Sequence, residues 1–281
     1  MEWKTKPMRR SFPLHLACLA AMAAPAVAAP PALPLWEAGI VGGVASTPAY
    51  PGADDRSTRT LALPLVIYRG KVLRADRSGV SARLFDSDRV ELDVGFAASL
   101  PARSRDVALR DGMPDLRSLV EFGPRLKVLL AAPDAVSRVR LELPLRAPFE
   151  LGHGFQRHGF VFEPRIVYET GSDGGIWQAA ASAGAVVGNA GLHAYFYDVA
   201  PQYATPWRPA YQAHGGLMAT RVGLNLSRRL GPDWRVFGLV RYDHLGHAVN
   251  RDSPLLRRDG GWSAGMGVTW TLYRSAARAW D

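Results

Sequence analysis

The sequence predicts an all-β protein: a transmembrane antiparallel β-barrel of about twelve strands (ten remain possible) that follows a cleaved signal peptide. Three observations carry this prediction. Apolar and polar residues alternate with a period of two along most of the chain, and no helical period competes with it. The alternating stretches often run about 11 to 14 residues, where strands of water-soluble sheets average ~5–6. Aromatic residues gather near the ends of these stretches, as Trp36, Tyr68, Tyr168, Trp234, Tyr242, Trp262, Trp270 and Tyr273 do, in the manner of interfacial girdles.

The first segment is set aside from the fold. Lys4, Lys6, Arg9 and Arg10 precede an apolar run from Phe12 to Val27, which ends on the small residues Ala26-Val27-Ala28. Residues 1–28 therefore read as a Sec-type signal peptide, and 29–281 as one barrel domain exported to the outer membrane of a Gram-negative cell. The alternative is an anchoring helix, but Pro13 and Pro25 interrupt the run and it is short for a ~20-residue span. The single cysteine, Cys18, lies inside this leader, and His15 stands where a lipoprotein signal needs an apolar residue. Without the leader no disulfide or cysteine–zinc chemistry is available. After residue 29 no stretch approaches ~18 consecutive apolar residues, which excludes a helical membrane protein.

The formal charge is +9, of which the leader's four basic residues and Glu2 account for +3, leaving about +6. The arginines are spread through the alternating pattern and form no basic tract, so no nucleic-acid partner is expected. Outer-membrane lipid, lipopolysaccharide and murein are the acidic neighbours of an exported chain.

The strands are expected at 36–46, 58–69, 72–84, 88–100, 117–130, 136–147, 159–170, 175–187, 190–199, 214–229, 233–247 and 260–273. The stretches 72–84 and 175–187 are weakly patterned. Turns are expected at Arg69-Gly70-Lys71, Ser172-Asp173-Gly174 and Gly231-Pro232-Asp233. Pro64, Pro124, Pro144 and Pro164 fall inside expected strands, where each should mark a bulge or a strand end.

Several short segments, in order along the chain, resemble the MipA/OmpV family of outer-membrane proteins. They are Tyr50-Pro51-Gly52 with Asp54-Asp55; Leu63-Pro64-Leu65; Arg110-Asp111-Gly112-Met113-Pro114-Asp115-Leu116; Gly123-Pro124 after Glu121-Phe122; Tyr195 to Pro201; and Ser253-Pro254-Leu255. The resemblance implies an outer-membrane barrel. It also implies a scaffolding role that brings a murein transglycosylase and a murein synthase together, with the motif residues as candidate interaction sites. Barrels of this kind usually close on an aromatic; here Trp270 or Tyr273 fits, and a tail continues to Trp280-Asp281.

No catalytic constellation and no cofactor motif is apparent, so the chain is not expected to be an enzyme. His153 and His158, and His244 and His247, are too poorly spaced for an obvious metal site, and no serine sits in a recognisable nucleophile setting. The more informative signal is charge on the polar face: Glu91 and Asp93, then Arg125 and Lys127, then Arg140, Glu142 and Arg146, then Glu163, Arg165 and Glu169, on four successive expected strands. In a barrel these side chains point into the lumen, either pairing across strands to fill it or forming a charged eyelet. A filled lumen is favoured because no long loop is obviously an eyelet loop.

With periplasmic termini and twelve strands, 47–57, 200–213 and 248–259 face outward, while 101–116 and 148–158 face the periplasm. Long periplasmic connections are unusual. Either a hairpin is miscounted or the Arg110–Leu116 segment is a periplasmic docking surface. Three functions follow in order of preference: a scaffold associated with murein synthesis and turnover, a diffusion channel or osmotic-response porin, and an outer-membrane hydrolase.

Overall fold

Period-two segments of this length can bury their backbone polar groups in a membrane only by pairing all the way round. In the computed structural model, which describes residues 33–70, 73–76, 79–99, 101–152, 154–171 and 175–279, the strands pair in an order that returns on itself. The strands are β1 (Trp36–Pro48), β2 (Arg56–Arg69), β3 (Leu73–Asp76), β4 (Gly79–Asp86), β5 (Val90–Ala98), β6 (Leu119–Ala131), β7 (Ser137–Glu150), β8 (Gln156–Arg157), β9 (Val161–Phe162), β10 (Arg165–Thr170), β11 (Trp177–Gly188), β12 (Gly216–Arg229), β13 (Trp234–His244) and β14 (Gly260–Arg274). One helix, α1 (Ala190–Tyr197), lies between β11 and β12. Consecutive antiparallel pairings run from β1 to β7, continue from β7 to β10, and run on to β14, which pairs with β1. The ladder therefore returns on itself, with β8 as a two-residue addition against β7 and β9 extending β10 between β7 and β11.

Strand length matches the membrane. β1 has 13 residues, β2 14 and β14 15. At ~3.3 Å per residue such strands reach across a ~30 Å hydrocarbon layer even when tilted. One face carries exposed apolar side chains, among them Ile40, Val66, Leu130, Ile166, Leu224 and Met266. Near one end of the barrel Trp36 is paired with Tyr68, and Trp234 stacks on Trp270 at 5.1 Å. Towards the other end Tyr242 lies 4.7 Å from Trp262, and Phe96, Phe122 and Phe149 follow one another ring to ring.

Two sequence expectations are corrected. The segment 190–199, expected as a strand, holds helix α1. Asn189 caps it, its side-chain oxygen accepting the Leu192 N–H at 3.3 Å, and this local bond outweighs an apolar alternation only a few residues long. The segment 72–84, expected as one strand, is the β3–β4 hairpin. One strand is lost and one gained, so the closed ring still has twelve.

The two changes reverse the direction of every strand between them. The connections 49–55, 99–118, 151–164, 189–215 and 245–259 all fall at one end, and the short turns at 87–89, 132–136 and 230–233 at the other. The expectation that 101–116 and 148–158 lie on the opposite side from the remaining long loops is thus overturned, because a hairpin had been miscounted. Leu33 and Ala279, the first and last described residues, lie at the short-turn end, where the Leu35 N–H donates to Ala277 O and the Ala279 N–H to Leu33 O. The tail after Tyr273 thereby prolongs the β1–β14 ladder. Bacterial barrels place long loops outside the cell. An Arg105→Cys variant, on the 99–118 connection and 73% exposed, should therefore react with a membrane-impermeant maleimide on intact cells. Labelling only after lysis would invert this orientation.

Pro124, Pro144 and Pro164 fall at or beside interruptions of the ladder, whereas the β1–β2 register runs through Pro64 without a bulge. Pro164 lies between β9 and β10, and the β6–β7 register skips from Phe122↔Ala147 to Arg125↔Pro144, leaving Gly123 and Pro124 on β6 and Leu145 and Arg146 on β7 without partners in that ladder. The signal-peptide reading of 1–28, and His153, lie outside the described residues.

Candidate functional site

The protein's apolar core is not in the lumen but among the loops. Tyr50 and Ala53 of the first long connection, Val107, Met113 and Leu116 of the second, Leu192, Tyr197 and Val199 around α1, and Leu245, Leu255 and Leu256 of the last form one buried cluster. Connections almost 200 residues apart in sequence thus close together over the barrel mouth.

The motif segments are the ties within this cap. The Tyr50 hydroxyl donates to Leu255 O at 2.7 Å, and the Tyr197 hydroxyl to Pro51 O at 3.1 Å. Gly52 has φ +84°, and a Cβ there would stand 2.7 Å from Leu256 Cγ, so both backbone and packing require glycine. Arg110, 4% exposed, donates to Phe196 O at 3.1 Å and Pro114 O at 3.2 Å. Asp115 accepts the Ser104 N–H at 2.7 Å, and Gly112 supplies the positive-φ turn before buried Met113. The Ser253 hydroxyl donates to Tyr197 O at 3.0 Å, and Pro254 follows it into the buried Leu255. Gly123 and Pro124 stand apart from the cap, in the β6 wall. Burial pushes the Tyr50 and Tyr197 phenols well above their usual range, so both remain hydrogen-bond donors.

Three cap residues had no sequence signal. Arg208, 3% exposed, donates to Leu109 O at 2.8 Å, Asp111 O at 3.0 Å and Tyr203 O at 2.7 Å, lacing two loops through carbonyls alone. His193 and Asn250 are fully buried. Asn250 accepts from the Tyr211 hydroxyl at 3.1 Å and the His214 N–H at 2.8 Å, and donates to His214 O at 2.8 Å and to His193 Nδ1 at 2.7 Å. The opposite ring nitrogen of His193 meets Gly216 O at 3.1 Å. A carbonyl on one side and an amide donor on the other require the neutral Nε2–H tautomer.

Burial accordingly holds the His193 value below the ordinary imidazole range. A histidine depressed in the folded state binds fewer protons there than when unfolded, so cap stability should fall as pH drops below about 6.5. Amide exchange of α1 measured at pH 7.5 and pH 5.5 should show the loss, and a His193→Gln variant should flatten it. An unchanged slope in the variant would assign the effect elsewhere.

Beneath the cap the charged side chains meet on the inward face. Arg125 donates to Asp93 at 2.9 and 2.6 Å, and Lys127 reaches both Asp93 and Glu91 at 2.9 Å. Arg165 contacts Glu142 at 2.6 Å, and Arg140 pairs with Glu169. Glu163 is the hub. Arg146 and Arg221 each lie 2.7 Å from it, Arg165 3.8 Å; Arg146 continues to Glu121 at 2.9 Å and Arg221 to Asp243 at 2.6 Å. This chain joins β6, β7, β12 and β13, which are not all neighbours, so it spans lumen space. Arg221, Arg241 and Asp243 were not singled out from the sequence, since nothing in β12 or β13 alone reveals which strand they will face.

Among the described residues no three histidine, cysteine, aspartate or glutamate side chains gather as a metal site, and no serine hydroxyl is hydrogen-bonded to a histidine. His244 and His247 lie ring to ring at 5.6 Å, and His158 meets Glu150 at 2.8 Å.

A closed antiparallel ring with an apolar outer belt, aromatic girdles, short turns at one end and long loops at the other defines an outer-membrane β-barrel protein. The profile of the MltA-interacting protein MipA family matches residues 40–272, and the chain belongs to that family. No curated protein matches it. Solved structures with some likeness include the NanC porin (12% identity, 84% of this chain and 100% of that one, TM-score 0.40) and outer membrane phospholipase A from Escherichia coli (10%, 83% and 92%, 0.37). A bacterial polysaccharide outer membrane secretin aligns at 9% identity over 84% and 99%, with TM-score 0.38. At such overlap neither the pores nor the activities of these proteins transfer to this chain.

Proposed function

We propose that this protein is a non-enzymatic scaffold of the outer membrane that associates with enzymes of murein synthesis and turnover. The observation that carries the reading is the cap: four long connections are fastened over the barrel mouth by buried tyrosines, arginines and an asparagine, an arrangement suited to rigidity rather than flux. The family description, MltA-interacting protein, supplies the partner class, a murein transglycosylase. Murein lies in the periplasm, so the docking face belongs to the short-turn end and the paired segments 33–35 and 275–279 rather than to the Arg110–Leu116 segment, which is part of the cap.

A second reading, a diffusion channel, is favoured by one observation: inward-facing Leu63 and Leu239 remain 52% and 39% exposed, so the lumen is not packed throughout. Reconstitution in planar bilayers separates the two. The scaffold reading expects conductance far below that of porins and retention of a lytic transglycosylase on immobilised protein. Porin-like conductance without such retention would replace it by the channel.

A further inference from the structure

Among the described residues the barrel wall has a lateral opening between β2 and β5. β2 pairs with β1 along its whole length, from Pro48↔Arg56 to Trp36↔Tyr68. On its other side, among the described residues, only Tyr68 and Arg69 are paired, with the four-residue β3. The partner hairpin strand β4 pairs with β5 no further along than Gly95. Between β2 and β5, on the loop side of this hairpin, β2 is thus an edge strand within the wall.

The chemistry of that edge is distinctive. The Arg69 N–H donates to Leu35 O, so odd-numbered residues of β2 turn their backbone groups towards β1 and even-numbered ones towards the opening. Pro64 is even-numbered, and the one residue without an N–H therefore faces the gap, as edge strands favour. The N–H groups of Thr60 and Ala62 face it too, and hydrocarbon cannot satisfy them. A polar acceptor must stand there.

Inside the opening the lumen wall is apolar. Leu61, Leu63 and Leu65 share the inward face with Arg69, which pairs with Glu37 at 2.6 Å. Leu63 is 52% exposed although it points inward, so about half of its surface is left open to the lumen. Arg59, next on that face towards the cap, donates to Pro101 O at 2.9 Å and to the Ser57 hydroxyl at 3.1 Å, and meets no carboxylate among the described residues. Among the described residues, a cation with no carboxylate partner therefore sits above a ~13 Å apolar strip, beside amides with no strand partner.

We propose that this opening admits one acyl chain of lipid A, the phosphorylated lipid of the loop-side leaflet. The chain lies along Leu61, Leu63 and Leu65, its amide and ester carbonyls accept from the β2 edge, and a phosphate faces Arg59. A second copy of the protein pairing along β2 is the competing occupant, but Pro64 breaks its ladder and it leaves Leu63 uncovered.

The test is native mass spectrometry of the full mature chain in mild detergent, titrated with lipid A and, as a neutral control, dipalmitoyl phosphatidylcholine. One lipid A per barrel is expected. Leu63→Asn and Arg59→Gln should each weaken binding about tenfold, while both variants keep the wild-type heat-shift on gels. Phosphatidylcholine binding as tightly, lipid A binding undiminished in both folded variants, no lipid adduct, or a dimer in place of the adduct would each overturn the proposal.

Discussion

Replacing Glu163 by glutamine is expected to destabilise the barrel by about 3–5 kcal/mol, the cost of removing one partner from a buried ion network. Glu163 is 6% exposed at its side chain and holds Arg146 and Arg221 at 2.7 Å each. The amide keeps the volume but removes the charge, leaving the Arg146 and Arg221 guanidiniums without the carboxylate they share, with only Glu121 and Asp243 at the far ends of the chain. Urea unfolding of refolded protein in lipid vesicles should report the loss. Arg140→Gln should cost far less, since Arg140 and Glu169 are 30% and 41% exposed and their pair is screened by water. Equal losses in the two variants would mean that the Glu163 hub is no more than a set of surface pairs.

Tyr197→Ala should loosen the cap by about 3–5 kcal/mol, the range for emptying a fully buried aromatic site, while leaving the barrel closed. Tyr197 is 0% exposed, contributes its hydroxyl to Pro51 and accepts Ser253 on its carbonyl. The expected readout is tryptic cleavage at the exposed loop arginines Arg251 and Arg258 in intact cells, where the parent protein resists, with an unchanged heat-shift on gels. Tyr197→Phe, which forfeits only the hydroxyl bond, should cost about 0.5–1.5 kcal/mol. If the alanine variant also loses the heat-shift, cap and barrel fold as one unit.

Most of the wall was legible in the sequence because membrane strands leave a long record: the alternation through β12 and β14 continues for 14 and 15 residues and admits no other period. The β3–β4 hairpin left almost none, since its strands of 4 and 8 residues are too short to show two periods apart from one. Helix α1 was misread for a related reason. Its side chains Leu192, Ala194 and Phe196 alternate with His193 and Tyr195, and the capping role of Asn189 is visible only once the following residues turn. The motif segments were visible as segments, but their meeting was not. Nothing in Tyr50 or Ser253 taken singly says that each will reach towards Tyr197 or Leu255, because those contacts depend on loop ends that the strand parity brings to one rim. The lumen charges were legible as a face; the Glu163 hub needed Arg221, which reaches it past an intervening strand.

The seam between the first and last strands sets the timing of assembly. Ala38 pairs with Tyr273 and Ser46 with Ala264, so the final contacts join residues more than 200 positions apart. Contacts of such sequence separation form late, after the entropy of a chain-length loop has been surrendered. Until β14 arrives, β1 is an uncovered template for foreign strands. Its facing residues are small, with Gly39, Gly42 and Gly43 set against Thr271, Val268 and Gly267, so the seam can zip with few side chains to sort. Closing the ring therefore waits on the meeting of β1 and β14, and a cell that makes this protein must guard β1 until then.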